Sequence, residues 1–207
     1  MKTYLGIAAR SLAALALAAL AAPPAMAQDT GDWVVRARAL NLQSANKDTT
    51  GLNLSVNDKT FPEVDIAYFF SPNLAVELVL TYPQKHDIRS GSTKIGTLKQ
   101  LPPTLLAQWH FPMGGFRPYV GAGLNLTLIS DVKFDPAVVA ALSPSLKNRS
   151  TGAAFQVGVD VPVGGGWLVN VDLKKVQIKT DVFAGPTKAG TFKIDPTLLS
   201  LGVGKRF

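Results

Sequence analysis

The chain has 207 residues, no cysteine, 47% hydrophobic and 17% charged residues, and 21 Lys+Arg against 14 Asp+Glu for a formal charge of +7. That length suits one domain or two small ones, and so apolar a composition excludes a disordered chain. The lack of cysteine excludes a disulfide framework and a thiolate metal site, and 18 Gly with 14 Pro disfavour a helical bundle and favour strands and turns.

Lys2 and Arg10 flank the start of an apolar run over 12–22, and Pro23, Pro24 and Ala25-Met26-Ala27 follow it. A basic head, a short apolar middle and an A-x-A site predict a secretory signal over 1–27, cleaved after Ala27, and a mature domain over 28–207. The apolar run is too short for a spanning helix, which needs about 20 residues. No later window of about 18 apolar residues occurs, so an exported chain of this kind is periplasmic, secreted or a closed β-barrel.

Eight segments then alternate with period two, the pattern of half-buried strands. In order they cover 33–42, 61–70, 74–82, 103–111, 119–128, 152–161, a seventh from Trp167 and an eighth ending at Phe207. Ser71-Pro72-Asn73, Pro112-Met113-Gly114-Gly115 and the stretch 162–166 read as tight turns. The phase of the seventh segment blurs at Lys174-Lys175, which suggests a bulge. The other connections, 43–60, 83–102, 129–151 and 177–193, are long, and 136–142 is expected to form a short helix within the third. Short turns at one end and long loops at the other predict an all-β, eight-stranded antiparallel up-and-down transmembrane β-barrel with short periplasmic turns and long extracellular loops.

Alternation leaves open which face is inside. A soluble barrel of lipocalin type is apolar within; an outer-membrane barrel is the reverse. Here one face of all eight strands is almost free of charge, whereas the other carries Arg36, Arg38, Glu63, Asp65, Glu77, Asp160, Asp172, Lys174 and Arg206, together with Gly121, Gly123, Gly158, Gly202 and Gly204. Those four bases and five acids nearly cancel, as a buried network requires, and the glycines make room for long side chains. The expected lumen therefore holds an ion network of Arg36, Arg38, Glu63, Asp65, Glu77, His110, Asp160, Asp172, Lys174 and Arg206. Trp33, Phe69, Phe70, Trp109, Phe111, Tyr119 and Trp167 fall near the short turns, where an interfacial aromatic girdle is expected.

Several stretches also resemble the OmpW family of small eight-stranded outer-membrane proteins, with its OprG-like and AlkL-like relatives. They are Gly31-Asp32-Trp33-Val34-Val35-Arg36-Ala37-Arg38, Leu101-Pro102-Pro103-Thr104-Leu105, Trp109-His110-Phe111, Pro118-Tyr119-Val120-Gly121-Ala122-Gly123, Ile194-Asp195-Pro196 and Gly202-Val203-Gly204-Lys205-Arg206-Phe207. The resemblance spans essentially the whole mature chain. It implies a barrel in a Gram-negative outer membrane, uptake of small hydrophobic molecules, and recognition of the terminal Phe207 by the outer-membrane assembly machinery.

Along the inward face, charge gives way towards the long loops to Leu40, Leu42, Val79, Leu106 and Leu198, an apolar upper funnel that a hydrophobic solute could enter. The charged floor would stop it, so a side exit is needed. Pro62, Pro102, Pro103 and Pro196 lie near the outer ends of strands two, four and eight, and proline, which gives the ladder no N–H, would weaken a lateral seam. The alternative is that these prolines merely start strands. The expected function is an outer-membrane channel for small hydrophobic molecules, released laterally into the bilayer.

Lys47, Lys59, Lys85, Arg89, Lys94, Lys99, Lys133, Lys147, Arg149, Lys188 and Lys193 fall in or beside the long loops, where they could meet lipopolysaccharide phosphates or simply be solvated. No nucleic-acid module is present. The alternatives are a structural or adhesive barrel whose loops bind a partner, and a lipid-modifying enzyme built on His86 with Asp87 and Ser90, for which no motif has mechanical context. No cofactor or metal is expected, with His86 and His110 the only histidines.

Overall fold

The computed structural model describes residues 31–207, so the expected signal over 1–27 lies outside the described residues. Along the chain, β1 (Trp33–Gln43) precedes two short strands, β2 (Lys47–Asp48) and β3 (Leu54–Val56). The strands β4 (Lys59–Phe69) and β5 (Leu74–Leu80) form a tight hairpin, then β6 (Gln84–Ser90) and β7 (Thr93–Leu101) form another. Next come β8 (Thr104–His110) and β9 (Arg117–Phe134), the helix α1 (Pro136–Leu142), β10 (Pro144–Leu146), β11 (Arg149–Gly164) and β12 (Trp167–Val176). The chain ends with β13 (Lys179–Ala184), β14 (Thr187–Lys193) and β15 (Thr197–Arg206).

Eight of these strands form a closed antiparallel barrel in the order β1-β4-β5-β8-β9-β11-β12-β15, returning to β1. Closure leaves no unpaired sheet edge around the wall, the condition for strands to cross lipid. The faces are sorted as an outer-membrane barrel requires. Leu105, Val120, Leu124, Phe155, Val157, Leu199, Leu201 and Val203 point out and are exposed, while Arg36, Asp65, Glu77, Asp160 and Asp172 are buried within.

The lumen glycines are spacers. A Cβ on Gly204 would stand 2.9 Å from Cγ of Arg36, one on Gly121 2.8 Å from Cγ of Gln156, and one on Gly158 would overlap the Tyr119 ring. Each long polar side chain thus lies over a neighbour that has no side chain.

Three details depart from the sequence-based expectation. The long loops are mostly strand: β9 continues to Phe134 and pairs there with β7, β6 pairs with β3, and β10, β13, β14 and β2 form a separate four-stranded sheet. Residues well beyond the lipid-crossing span therefore remain paired, and only the expected helix at α1 matches the loop reading. No bulge occurs at Lys174-Lys175, which pair in register with Leu198 and Thr197; the register shift lies at Pro162/Gly164. Lys174 points inward to acids and Lys175 outward to the Asp195 carbonyl, so the sequence blur reflects two lysines on opposite faces. Finally, Phe69 and Tyr119 leave the expected girdle and are fully buried in the lumen, whereas Tyr68 packs with Trp33 and Phe70 outside.

Replacing Gly158 by Val is expected to force Tyr119 out of place. Overpacking of this kind costs about 1–3 kcal/mol, to be read as a lower urea midpoint in detergent micelles.

Candidate functional site: a charged plug beneath an apolar chamber

Alternation along β1 turns Arg36 and Arg38 inward at successive levels, each facing acids on β4. The Arg36 guanidinium grips Asp160 through Nε (3.1 Å) and Nη2 (2.6 Å) and reaches Asp65 through Nη1 (2.9 Å). Arg38 pairs with Glu63 (2.8 Å), Asp65 (2.9 Å) and Glu77 (3.4 Å). Lys174 joins Glu63 (3.2 Å) to Asp172 (2.5 Å). Neutral donors complete the set: Tyr119 Oη donates to Asp172 (2.7 Å), and Asn170 Nδ2 donates to Asp160 (2.8 Å) and to Tyr119 Oη (3.0 Å). Arginine suits this task because its planar fork serves two carboxylates at once.

Two expected members sit apart. Arg206 stands at the rim of the short-turn end, half-buried, with Nε 3.5 Å from Asp32. His110 lies between the rings of Phe69 (4.8 Å) and Tyr119 (4.9 Å) and bonds to Gln108 (3.0 Å), with no ion pair among the described residues. A base outside the expected set, Arg117, is buried at the same end, with its guanidinium over Phe69 (5.8 Å) and donating to the Pro72 carbonyl. Among the described residues the interior thus holds four buried bases, Arg36, Arg38, Arg117 and Lys174, and five buried acids. Sequence reading missed Arg117 and Tyr119 as interior groups because both flank a turn, where alternation has only begun.

Above the plug, Leu40, Leu42, Val79, Leu106 and Leu198 join one buried apolar cluster with residues from every long connection, including Val56, Leu98, Ile129 and Ile178. These loop side chains cap the chamber. The void left between Leu40, Leu42, Val79, Val176 and Leu198, with Glu63 and Lys174 at its base, is about 20 Å³, so the expected funnel is a packed chamber and not an open one. Loop residues that are as apolar as the wall bury themselves against it, which the loops read as irregular segments gave no reason to expect.

The four prolines do not share one seam. Pro62 lies within β4 opposite Ala39, and the Thr81 hydroxyl donates to its carbonyl at 3.4 Å. The β4–β5 ladder stops at Val64 and Leu80, so 59–63 continue beyond the reach of β5. The Pro103 carbonyl instead accepts from Leu126 N–H (3.0 Å), and that of Pro196 from Val176 N–H (3.1 Å); Pro102 and Pro196 line the chamber void. An open groove of about 510 Å³ lies on the outer face of the wall at Ala37, Ala39, Pro62 and Val64.

The group of His86, Asp87 and Ser90 is not assembled. His86 is buried on the inner face of β6, bonded to the Asn57 carbonyl (3.0 Å) and Gln100 (3.0 Å), while Asp87 turns to Lys94 (2.8 Å) and Ser90 donates to the Leu52 carbonyl (2.7 Å). Burial holds the His86 pKa below its ordinary value of 6.5, against the opposing hydrogen bond to Asn57.

A closed eight-stranded barrel, apolar outside and plugged with ion pairs inside, defines a transmembrane barrel of outer-membrane type. The pattern of the OmpW family matches residues 29–207, and the chain belongs to that family. It is 34% identical to outer membrane protein W of Escherichia coli over 95% of this chain and 98% of that protein. The crystal structure of OprG from Pseudomonas aeruginosa superposes with a TM-score of 0.74 at 27% identity, over 87% of this chain and 97% of that one. The structure of AlkL in lipid bilayers superposes with a TM-score of 0.68 at 28% identity, over 88% and 93% of the two chains. The protein is thus an outer-membrane protein of Gram-negative bacteria, in a family of non-enzymatic barrels, with its short turns periplasmic and its long connections extracellular.

Asp160→Asn is expected to leave Arg36 without its bidentate partner. Breaking a buried pair costs about 3–5 kcal/mol, against less than about 1 kcal/mol for Lys94→Ala at the exposed Lys94–Asp87 pair; urea unfolding of the folded barrel in micelles compares them. His86 yields a pH prediction for the extracellular β6–β7 hairpin. Its folded pKa is lowered, so below about 6.5 the opened hairpin binds more protons than the closed one and stability falls with pH. Amide protection in the hairpin, taken relative to the intrinsic exchange rate at each pH, is expected to fall below that pH in the wild type, and His86→Gln to flatten the dependence.

Proposed function

We propose that this barrel passes small hydrophobic molecules from outside the cell into the outer membrane. The observation that carries the reading is the apolar chamber directly above a floor of ion pairs. An apolar solute gains about 25 cal/mol per Å² of surface removed from water by entering such a chamber, whereas crossing the floor would require separating buried charges. The periplasm is thus the unfavourable destination and the bilayer the favourable one.

With the chamber packed, the solute must displace the loop side chains that fill it. Access then requires the extracellular β6–β7 or β13–β14 hairpin to swing away from the wall, after which the solute replaces their apolar contacts. The exit best supported lies beside Pro62, where β4 outruns β5, the ladder has lost one donor, and small Ala37 and Ala39 leave a groove on the lipid-facing wall. Pro102, Pro103 and Pro196 serve as strand starts by their hydrogen bonding, with Pro102 and Pro196 also shaping the chamber. Phe207, exposed at the periplasmic rim beside Trp33, suits recognition of the terminal aromatic during assembly.

Leu42→Asp and Leu106→Asp place a charge in the chamber without touching the plug. Uptake of a hydrophobic solute by cells carrying either variant is expected to fall at least tenfold relative to wild type, with equal amounts of folded barrel by heat-dependent gel mobility. Unchanged uptake would exclude the chamber as the route.

A further inference from the structure

The extracellular sheet contains three lysines in one line. Lys47 on β2 pairs directly with Lys193 on β14, and Lys193 directly with Lys179 on β13. Adjacent strands are about 4.8 Å apart, so three ammonium-bearing stems stand side by side within about 10 Å. All three residues are exposed on the same face, and among the described residues none forms an ion pair.

Like charges set directly opposite destabilise a sheet pair, so the row needs another explanation. Lysine can guard a sheet edge against pairing. That accounts for Lys47, whose strand is an edge, but β13 and β14 are interior strands of the four-stranded sheet. Beside the row, Lys179, Lys193, Thr151, Gln177 and Asp195 line a cleft of about 180 Å³. Asp195 is already engaged, accepting the Ile178 N–H through Oδ1 (3.0 Å), and the Gln177 side-chain carbonyl faces the Ala153 N–H (3.4 Å). The cleft thus offers two ammonium groups, a hydroxyl and an amide NH₂ beside one charged carboxylate, Asp195, so the two lysines with Lys47 next to them leave the site net positive.

Height selects among anions. The last outward leucines on these strands are the directly paired Leu173 and Leu199, and Lys179 and Lys193 lie six residues further out on each chain segment. With the usual rise and barrel tilt the row stands about 15 Å above them. Phospholipid headgroups occupy only about 5–8 Å beyond the hydrocarbon, whereas phosphates carried on a glycolipid's sugars extend to this level. In a second lysine cleft, lined by Lys85, Lys99 and Lys133, Asp131 binds Lys99 at 2.7 Å, whereas among the described residues Asp195 forms no ion pair with the row.

We propose that the Lys47–Lys193–Lys179 row and its cleft bind a sugar-borne phosphate of the outer-leaflet lipopolysaccharide, fixing the extracellular sheet to the lipid surface. This stands whether or not solutes pass through the chamber.

The test is calorimetric titration of detergent-solubilised folded protein with phosphorylated rough lipopolysaccharide. Lys47→Ala/Lys179→Ala/Lys193→Ala is expected to weaken binding tenfold or more, and dephosphorylating the glycolipid to weaken wild-type binding as much. Lys94→Ala/Lys188→Ala, at lysines already paired with Asp87 and Asp181, is expected to change nothing. Heat-dependent mobility verifies that each variant remains a barrel. Unaltered binding by the triple variant overturns the proposal. So does equal binding of phosphatidylglycerol vesicles, which marks a general anionic surface, or saturation by millimolar inorganic phosphate alone, which marks a free-phosphate site.

Discussion

The constraint on which everything else depends is that a barrel turned apolar side out must satisfy every polar group within itself. Water cannot reach the lipid-crossing wall, so each backbone group pairs around the closed ladder and each inward charge needs a partner across the lumen. Arg36 and Arg38 meet that demand. One binds acids on β4 and β11, the other acids on β4 and β5, so two side chains from a single strand tie three other walls to it. Lys174 adds the link from β12 back to β4.

Side chains of that length fit only because the opposing wall is locally bare. Gly204 lies against the Arg36 stem, Gly158 beneath Tyr119, and Gly121 beside Gln156. Glycine normally weakens a strand; here its cost is offset by admitting the groups that neutralise the lumen. The same economy explains why the plug is low and the chamber high. Glycines are concentrated on the lower halves of the strands, and above them leucine, valine and phenylalanine fill the bore without needing partners.

The extracellular sheets extend the logic of the wall into a region with different solvent on either side. Their inner faces supply Val56, Leu98, Ile178 and Phe192 to the chamber, and their outer faces carry lysines. The chamber roof meets the wall through apolar side chains, with hydrogen bonds such as those of His86 to Asn57 and Gln100 among its own strands, while the plug beneath is held by ion pairs. Apolar contacts are non-directional and can be replaced by those of a solute; a network of paired charges cannot be so replaced. That difference in kind places adaptability at the outer end and rigidity at the inner end.

Period-two alternation determined the eight crossing strands, their inward and outward faces and the membership of most of the plug, because a strand's side chains have only two directions and lipid tolerates charge in one of them. The charge balance was legible too, even though the fourth buried base is Arg117 and not Arg206, since neutrality constrains the sum and not the identity. What only the tertiary structure decided was which side chains meet across the bore, that the chamber is filled by the loops, that the prolines divide among different ladders, and that Lys47, Lys193 and Lys179 fall in line. Each of these depends on the registers of strands far apart in the chain, and register is fixed by closure of the whole barrel, which no local pattern encodes.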